Sequence, residues 1–275
     1  MTLQFFSRYS IIMSIFSPLF QITSNPLFLI PQIAKQHIQG EIESKSWESG
    51  GNILSRVILS NKCSNALGIE EMVDDYQLFL LAGMETTSIA SACTVFQLMT
   101  HPDVSKKARD EVDAVLCDKK ELDFDDIAKL NYLEMVIKES TRLNPPVYHT
   151  GRDCVNGAVI NGVVFPKGTD MFMPYSVLNT DERFWDEPQK FDPERFSAAN
   201  IRKILPCTYM PFVMGPRNCI GKNFAMLEMK IILSKIVNTF DLVNPDPSQR
   251  DIKCVANLTL RPKNGIKVII SPRSA

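Results

Sequence analysis

A ten-residue stretch near the C-terminus constrains the fold and chemistry of this chain more than any other feature. Residues 212–221 read FVMGPRNCIG and precede residues 222–240, a long run with apolar residues at helical spacing. The stretch holds one cysteine, Cys219, close to Arg217 and to the predicted start of a helix. Unpaired N–H groups at a helix N-terminus and a nearby cation both stabilise a thiolate. The pattern therefore favours a thiolate at Cys219.

Several roles are open to such a sulfur. A lone cysteine often packs as a small hydrophobic residue. A zinc site would need a second Cys or His at ligand spacing, which the sequence lacks. A cysteine nucleophile would need a histidine partner, and His37, His101 and His149 offer no obvious one. The remaining chemistry is a single iron with one axial thiolate, in which a porphyrin supplies the other ligands. Gly215 would allow a tight turn, and Gly221 would let a flat ligand approach because it lacks a Cβ.

These residues resemble the heme-binding signature of the cytochromes P450. Phe212, Gly215, Arg217, Cys219 and Gly221 match its pattern, Phe-x-x-Gly-x-Arg-x-Cys-x-Gly, position for position. The resemblance implies heme b (iron protoporphyrin IX), with Cys219 as the metal ligand and Phe212, Arg217 and Gly221 as further heme-binding residues. It also implies the cytochrome P450 fold, a mainly α fold with small β-sheets (α+β).

A second feature lies in residues 69–99, a predicted helix that is apolar nearly all round beyond its acidic first turns. We expect such a helix to be buried. Its centre, residues 82–87 with the sequence AGMETT, breaks helix rules, because glycine and threonine are poor helix formers and a buried Glu85 needs a partner. Such departures indicate a functional site, although threonine often only bends a helix.

The AGMETT stretch resembles the oxygen-binding groove in the distal helix of cytochromes P450. By that resemblance Ala82 and Gly83 form a gap beside the heme, and Glu85 and Thr86 are the catalytic acid and alcohol that deliver protons. Arg152 stands where the family has an arginine that binds a heme propionate. A solvated residue at the end of a strand is the simpler alternative for Arg152.

Three further patterns organise residues 102–196. Pro102 begins a predicted surface helix, and Asn131 is a predicted N-cap of the next helix. In that helix Glu139 and Arg142 lie on one face. They resemble the buried Glu-x-x-Arg pair of cytochromes P450, which Arg195 would join as a structural element. Residues 158–165 predict a hairpin with an Asn-Gly turn.

Composition is that of an ordinary globular protein. The 275 residues are 45% hydrophobic and 22% charged, and the formal net charge is −1, so nothing favours binding to nucleic acid. The seven cysteines form no CxxC pair, which fits a reducing compartment facing the cytosol. Residues 3–33 are apolar but interrupted by prolines, so a spanning helix is not expected. Core helix and loop is the simplest interpretation, with a signal peptide or a membrane-dipping loop over residues 16–33 as alternatives.

The order of the elements resembles the C-terminal half of a cytochrome P450 from about residue 69 onward. Residues 1–275 are therefore predicted to be the C-terminal portion of a single P450 domain, apparently incomplete at the N-terminus, with residues 1–68 as helices and a loop. Within the family, the detailed sequence resembles the cholesterol 24-hydroxylase branch most, with the fatty-acid ω-hydroxylase and steroid-oxidising drug-metabolising branches next.

The resemblance implies a monooxygenase that inserts one oxygen atom of O2 into a C–H bond of a hydrophobic substrate, such as a sterol or another lipid. It implies NADPH as the electron source, a flavoprotein reductase as partner, and the cytosolic face of the endoplasmic reticulum membrane as location. The distal helix around Phe79, Leu80, Gly83 and Thr87, residues 146–150 and the turn at Leu258 would line the substrate pocket. The alternative is a non-catalytic or split-gene fragment that lacks the N-terminal half of the heme pocket.

Overall fold

The computed structural model describes residues 2–3, 29–49, 51–64, 68–117, 119 and 121–273. The expectations for the N-terminal apolar stretch fall mostly on residues 4–28, which lie outside the described residues. The chain divides into two compact units, Tyr9–Glu85 and a second made of Met1–Arg8 with Thr86–Ala275. Each unit is described by itself.

The first unit is helical in its described part. It contains α1 (Leu29–Ser44), a 3-10 turn (Ser46–Ser49), α2 (Ile53–Ser64) and the first part of α3 (Ile69–Thr100). Its core consists of apolar side chains that the three helices turn toward one another: Ala34, Ile38, Leu54, Ile58, Met72 and Val73. A helix, a loop and a second helix were predicted for residues 36–65, and the structure has helices on both sides of a loop there.

In its described residues the second unit combines helices with four small antiparallel sheets. Its further helices are α4 (Pro102–Leu116), α5 (Phe124–Lys129), α6 (Asn131–Leu143) and α7 (Lys222–Thr239). The strands are β1 (Thr2–Leu3), β2 (Thr150–Cys154), β3 (Ala158–Ile160), β4 (Val163–Phe165), β5 (Thr169–Met173), β6 (Phe240–Val243), β7 (Cys254–Ala256), β8 (Leu260–Pro262) and β9 (Val268–Pro272). They pair as β1-β9-β6, β2-β5, β3-β4 and β7-β8. The expected mainly α architecture with small sheets is confirmed.

The β3-β4 hairpin has the predicted turn. Asn161 (φ 49°) and Gly162 (φ 81°) both adopt the left-handed conformation, which a two-residue type I′ turn requires. Val159 faces Val164 across the hairpin. Asn-Gly tolerates these angles with little strain, so this local signal was sufficient to place the turn.

Helix α4 is the predicted surface helix. Pro102 stands in its first turn, where a missing N–H is harmless. Val104, Ala108 and Val112 are buried on one face, and Lys106 and Asp110 pair on the exposed one at 2.6 Å. The surface helix predicted from Pro102 and from the charges along one face is therefore confirmed.

The N-terminus of α6 differs from the prediction. Asn131 is the first helical residue and not the N-cap, and its Nδ2 donates to the Lys129 carbonyl at 3.0 Å. The free N–H groups of Tyr132 and Leu133 instead donate to the Glu111 carboxylate of α4, at 2.7 and 2.9 Å. A tertiary contact thus replaces the local cap that sequence rules suggested.

The predicted triad in the core is confirmed. Arg142 and Glu139 are fully buried, and the Arg142 guanidinium donates to both Glu139 oxygens at 2.7 and 2.8 Å. Arg195 Nε lies 3.3 Å from Glu139 Oε1, and the backbone N–H of Asp192 donates to the same oxygen at 2.9 Å. Arg142 also donates to the Asn179 carbonyl at 2.6 Å. Because these charges are paired and hydrogen-bonded, the cluster joins α6 to the chain that leads to Cys219.

Helix α3 is buried over only part of its length. All residues from Ile89 to Met99 are buried, as predicted, but Leu78, Phe79 and Leu80 are 62%, 38% and 40% exposed. The prediction of burial beyond the first turns is wrong for that middle stretch, because composition does not show which turns of an apolar helix the protein covers. Among the described residues α3 is the one helix long and apolar enough to cross a membrane, judged by length and composition alone.

Candidate functional site

The loop that carries Cys219 closes on itself through backbone hydrogen bonds. The N–H of Cys219 donates to the Phe212 carbonyl at 2.9 Å, and the N–H of Asn218 donates to the Gly215 carbonyl at 3.1 Å. Gly215 has φ +83°, so the turn predicted for this glycine is confirmed. Phe212 is half-buried and packs against the core, which anchors the loop to the rest of the unit.

Val213 reveals backbone strain in the same loop. Its φ of 59° lies in the left-handed region, which a β-branched residue rarely adopts. Such a conformation costs on the order of 1–3 kcal/mol and persists only where surrounding contacts enforce it. Sequence reasoning missed Val213, because no sequence pattern distinguishes it from an ordinary valine in a loop.

Cys219 is an exposed residue just before α7. That helix begins at Lys222 with Gly221 at its N-cap, so Cys219 stands two residues before the cap. A Cβ added to Gly221 would lie 3.9 Å from the Cys219 sulfur, an ordinary contact. Packing within the chain therefore does not require glycine there, whereas a flat group bound at the sulfur would benefit from it. Ile220 beside the sulfur is 88% exposed.

Arg152 and Arg217 meet in one cavity of about 510 Å³. Arg152 lies on β2 and donates to Thr150 Oγ1 at 2.9 Å and to the Gly151 carbonyl at 2.6 Å. Among the described residues neither guanidinium forms an ion pair. Asp153 and Asp170 also line the cavity and face each other across β2 and β5. Because side chains alternate along a strand, that pair lies on the opposite face from Arg152.

His149 lies in the same cavity, against aromatic rings. Its ring centroid is 4.4 Å from that of Tyr148 and 4.6 Å from that of Phe172. Its buried Nδ1 has no hydrogen-bond partner among the described residues. An unpaired buried nitrogen is unusual, and together with two guanidiniums it marks the cavity as a place for a polar ligand.

The residues of the AGMETT stretch follow one another on α3. Ala82 is exposed, and Gly83, Glu85 and Thr86 are half-buried. A Cβ added to Gly83 would meet no atom within 4 Å, so there is open space beside this glycine. Glu85 is the last residue of the first unit, and its full burial, expected from the sequence, is wrong. Its role as an acid stays a prediction, as do the roles of the other site residues.

Thr87 is only 3% exposed and lies near the Glu228 carboxyl of α7. Burial raises the pKa of Glu228. Thr87 therefore faces the protein interior instead of an open pocket. Glu228 was not singled out from the sequence, because its position opposite α3 depends on the packing of two helices distant in the chain.

Two segments expected to line a substrate pocket come together. The N–H of Leu260 donates to the Pro146 carbonyl at 2.7 Å, which joins the turn at Leu258 to residues 146–150. Leu258 is 74% exposed, whereas Thr259 is 4% exposed.

Tyr175, also missed from the sequence, is buried near Cys219. Burial and then the charge of Cys219 raise the pKa of Tyr175 to about 12.

The described residues fit a heme. They contain no group of three or more His, Cys, Asp or Glu side chains that could hold a metal ion, so a metal at Cys219 would take its other ligands from a bound group. The exposed Cys219 could supply one thiolate, and Arg152 and Arg217 offer charge-assisted hydrogen bonds to the carboxylates of a porphyrin. The open turn at Gly215 leaves space beside the sulfur loop.

Comparison with known proteins identifies close relatives over most of the chain. Cytochrome P450 3A16 of Mus musculus is 39% identical over 210 residues, which are 76% of this chain and 42% of the relative. Lithocholate 6-beta-hydroxylase of Mesocricetus auratus is 38% identical over 208 residues, 76% of this chain and 41% of the relative. The chain thus spans less than half the length of these curated relatives. The relatives do not support the expected cholesterol 24-hydroxylase branch.

The family profile described as cytochrome P450 matches residues 2–270, nearly the whole chain. This match agrees with the order of helices and small sheets and with the loop that presents Cys219. Membership of this family implies a heme cofactor and confirms the fold expected from the signature in residues 212–221. The chain belongs to the cytochrome P450 family.

Proposed function

We propose that this chain is the thiolate-bearing, C-terminal portion of a single P450 domain, and that the domain is a monooxygenase. The observation that supports this most is the hydrogen-bonded loop from Phe212 to Cys219, which presents an exposed cysteine beside the first turn of α7. Arg152 and Arg217, whose guanidiniums form no ion pair with any residue that the structure describes, lie in a cavity of the same unit.

Each residue of the site has a defined task in this proposal. Cys219 binds the iron through its sulfur, and Arg152 and Arg217 bind the two heme carboxylates. Heme, when bound, supplies the activation of O2 for insertion of one oxygen atom into a C–H bond. Glu85 holds a proton on its carboxyl and passes it through the Thr86 hydroxyl, one residue further along α3.

The reaction also needs electrons and a partner. Family membership supports NADPH as the electron source and a flavoprotein reductase as the protein that delivers them. Resemblance to the family is likewise the basis for proposing attachment to the cytosolic face of the endoplasmic reticulum membrane. Both proposals concern the whole protein. This chain matches its relatives over less than half of their length.

A hydrophobic substrate of the steroid or lipid class fits the predicted lining. Leu258 is exposed at its turn, and residues 146–150 adjoin that turn. Such a lining binds a large, weakly polar molecule by shape. The name of one relative, a lithocholate hydroxylase, supports a steroid.

The decisive experiment is a carbon monoxide difference spectrum of the reduced, heme-supplemented chain. A thiolate-ligated ferrous heme absorbs at a red-shifted position, because the sulfur donates charge to the iron. Cys219→Ser should abolish this band, and Cys207→Ser, at another exposed free cysteine, should leave it unchanged. A histidine-type spectrum in the parent chain would contradict the ligation. Failure of the full chain to take up heme would favour the non-catalytic alternative.

A further inference from the structure

A larger cavity in the second unit contains neither Cys219 nor the guanidiniums of Arg152 and Arg217, and of the predicted heme-binding residues only Phe212 lines it. It lies between α5, α6, α7 and the segment before Cys219, and its volume is about 730 Å³. Cavities of about 300–1,000 Å³ are typical of small-molecule sites. It shares no lining residue with the cavity of Arg152 and Arg217. We call it the α5-α7 cavity.

Apolar side chains of unusual exposure form its wall. Phe124 is 73% exposed, Phe224 57% and Met214 52%, while Ile127 on the same lining is 6% exposed. Single exposed apolar residues are common, but several around one concavity indicate a binding surface. Because they surround a hollow with a buried floor, the body of one small molecule would cover them better than a flat membrane surface would.

Two of the three lysines in the lining are already paired. Lys138 Nζ lies 2.6 Å and Lys230 Nζ 2.5 Å from the Glu134 carboxylate. The Lys230 side chain is only 9% exposed, and a buried lysine normally needs such a partner. Burial would raise the pKa of Glu134, but the hydrogen bonds from both lysines outweigh it and lower that pKa. The ammonium groups of Lys138 and Lys230 therefore both have an acidic partner within the protein.

Lys222 is different. It is the first residue of α7, it is exposed, and it forms no ion pair among the described residues. With one glutamate against three lysines, the cavity has an excess of two positive charges. A lysine ammonium pairs with an anion as a point charge and does not require a planar, bidentate group.

We propose that the α5-α7 cavity binds one anionic amphiphile, a molecule with a long apolar body and a single carboxylate. The carboxylate pairs with Lys222 Nζ, and the apolar body lies against Phe124, Met214 and Phe224. One unpaired cation matches one carboxylate, and the remaining wall gains by burying apolar surface. This site goes beyond the proposed monooxygenase function and needs neither heme nor turnover.

The test compares hexadecanoic acid, kept below its aggregation concentration, with hexadecan-1-ol by calorimetric titration of the full heme-free chain. We expect one saturable site and about tenfold tighter binding of the acid, because only the acid forms a charge-assisted hydrogen bond. Lys222→Gln should remove this difference between acid and alcohol. Lys235→Gln is the control, since Lys235 is an exposed lysine of the same helix outside the cavity.

A second pair of variants tests the apolar wall. Phe224→Ser should weaken the acid and the alcohol by the same factor, whereas Phe172→Ser, at an exposed phenylalanine outside the cavity, should weaken neither. Circular dichroism of each variant shows whether it is folded.

Three results would overturn the proposal. They are equal affinity of the parent chain for acid and alcohol, equal losses in Lys222→Gln and Lys235→Gln, and binding to anionic phospholipid vesicles without binding of the monomeric acid. The last result would indicate a membrane surface instead of a ligand site. Because heme is absent from this assay, its failure leaves the spectroscopic test of Cys219 unaffected.

Discussion

The arginines of this chain differ in how many hydrogen-bond acceptors and ion-pair partners the protein supplies to them. Arg142 is completely buried and donates to Glu139 and to three backbone carbonyls. Arg152 and Arg217 share an open cavity and form no ion pair among the described residues. The same side chain thus stabilises the fold where the protein supplies its acceptors, and is available to a ligand where it does not.

The largest expected effect on stability is at Arg142, the arginine whose acceptors the protein supplies. Arg142→Met removes the cation but leaves Glu139 buried and poorly paired, so the free energy of unfolding should fall by about 3–5 kcal/mol. Urea unfolding measures this change. Arg183→Met, which breaks an exposed pair with Asp181, is the control and should change stability little. An equally small effect at both positions would remove the distinction between satisfied and open arginines.

Replacing either of two glycines by alanine extends the comparison from side chains to the backbone. The two replacements should change the free energy of unfolding in opposite directions. Gly215→Ala places a Cβ on a residue with φ +83° and should lower the free energy of unfolding by about 1–2 kcal/mol. Gly83→Ala lies within α3, meets no atom within 4 Å, and should raise it by about 0.5–1 kcal/mol. Thermal unfolding of both variants tests the signs. Destabilisation by Gly83→Ala would indicate a close neighbour at that glycine.

The smallest effect on stability is expected at the open arginines. The double variant Arg152→Gln, Arg217→Gln should unfold at nearly the same urea concentration as the parent chain, because neither arginine has an ion pair to lose among the described residues. Its affinity for heme should fall, by about tenfold or more, through loss of charge-assisted hydrogen bonds to the carboxylates. Heme titration followed by absorbance measures this. A large loss of stability with unchanged heme affinity would reverse the assignment.

Local signals in the sequence predicted a large part of the fold. The Asn161-Gly162 turn, Pro102 at the start of α4 and the charged face of α4 all depend on interactions within a few residues, and the structure confirms each. The Glu-x-x-Arg pattern was predicted with its distant partner Arg195, but only because a family resemblance connected the two segments.

Features that join distant segments were missed. Glu111 caps α6 from 21 residues away, and Glu228 approaches Thr87 from another helix. The exposure of Leu78 and Phe79 was also unexpected, since apolar composition does not show which turns of a helix are covered. Each case depends on which surfaces meet, and no local propensity contains that information.

The sequence by itself determined the family, the residues of the Cys219 loop and the positions of most helices and strands, because these follow from a specific motif and from periodicity. Only the tertiary structure decided that Arg152 and Arg217 share a cavity, that no described acidic residue pairs with Lys222, and that Val213 adopts a left-handed conformation. Hydrogen bonding and ion pairing between distant segments determine which charged groups remain open to a ligand. A side chain's availability is therefore a property of the folded chain and not of its residue type.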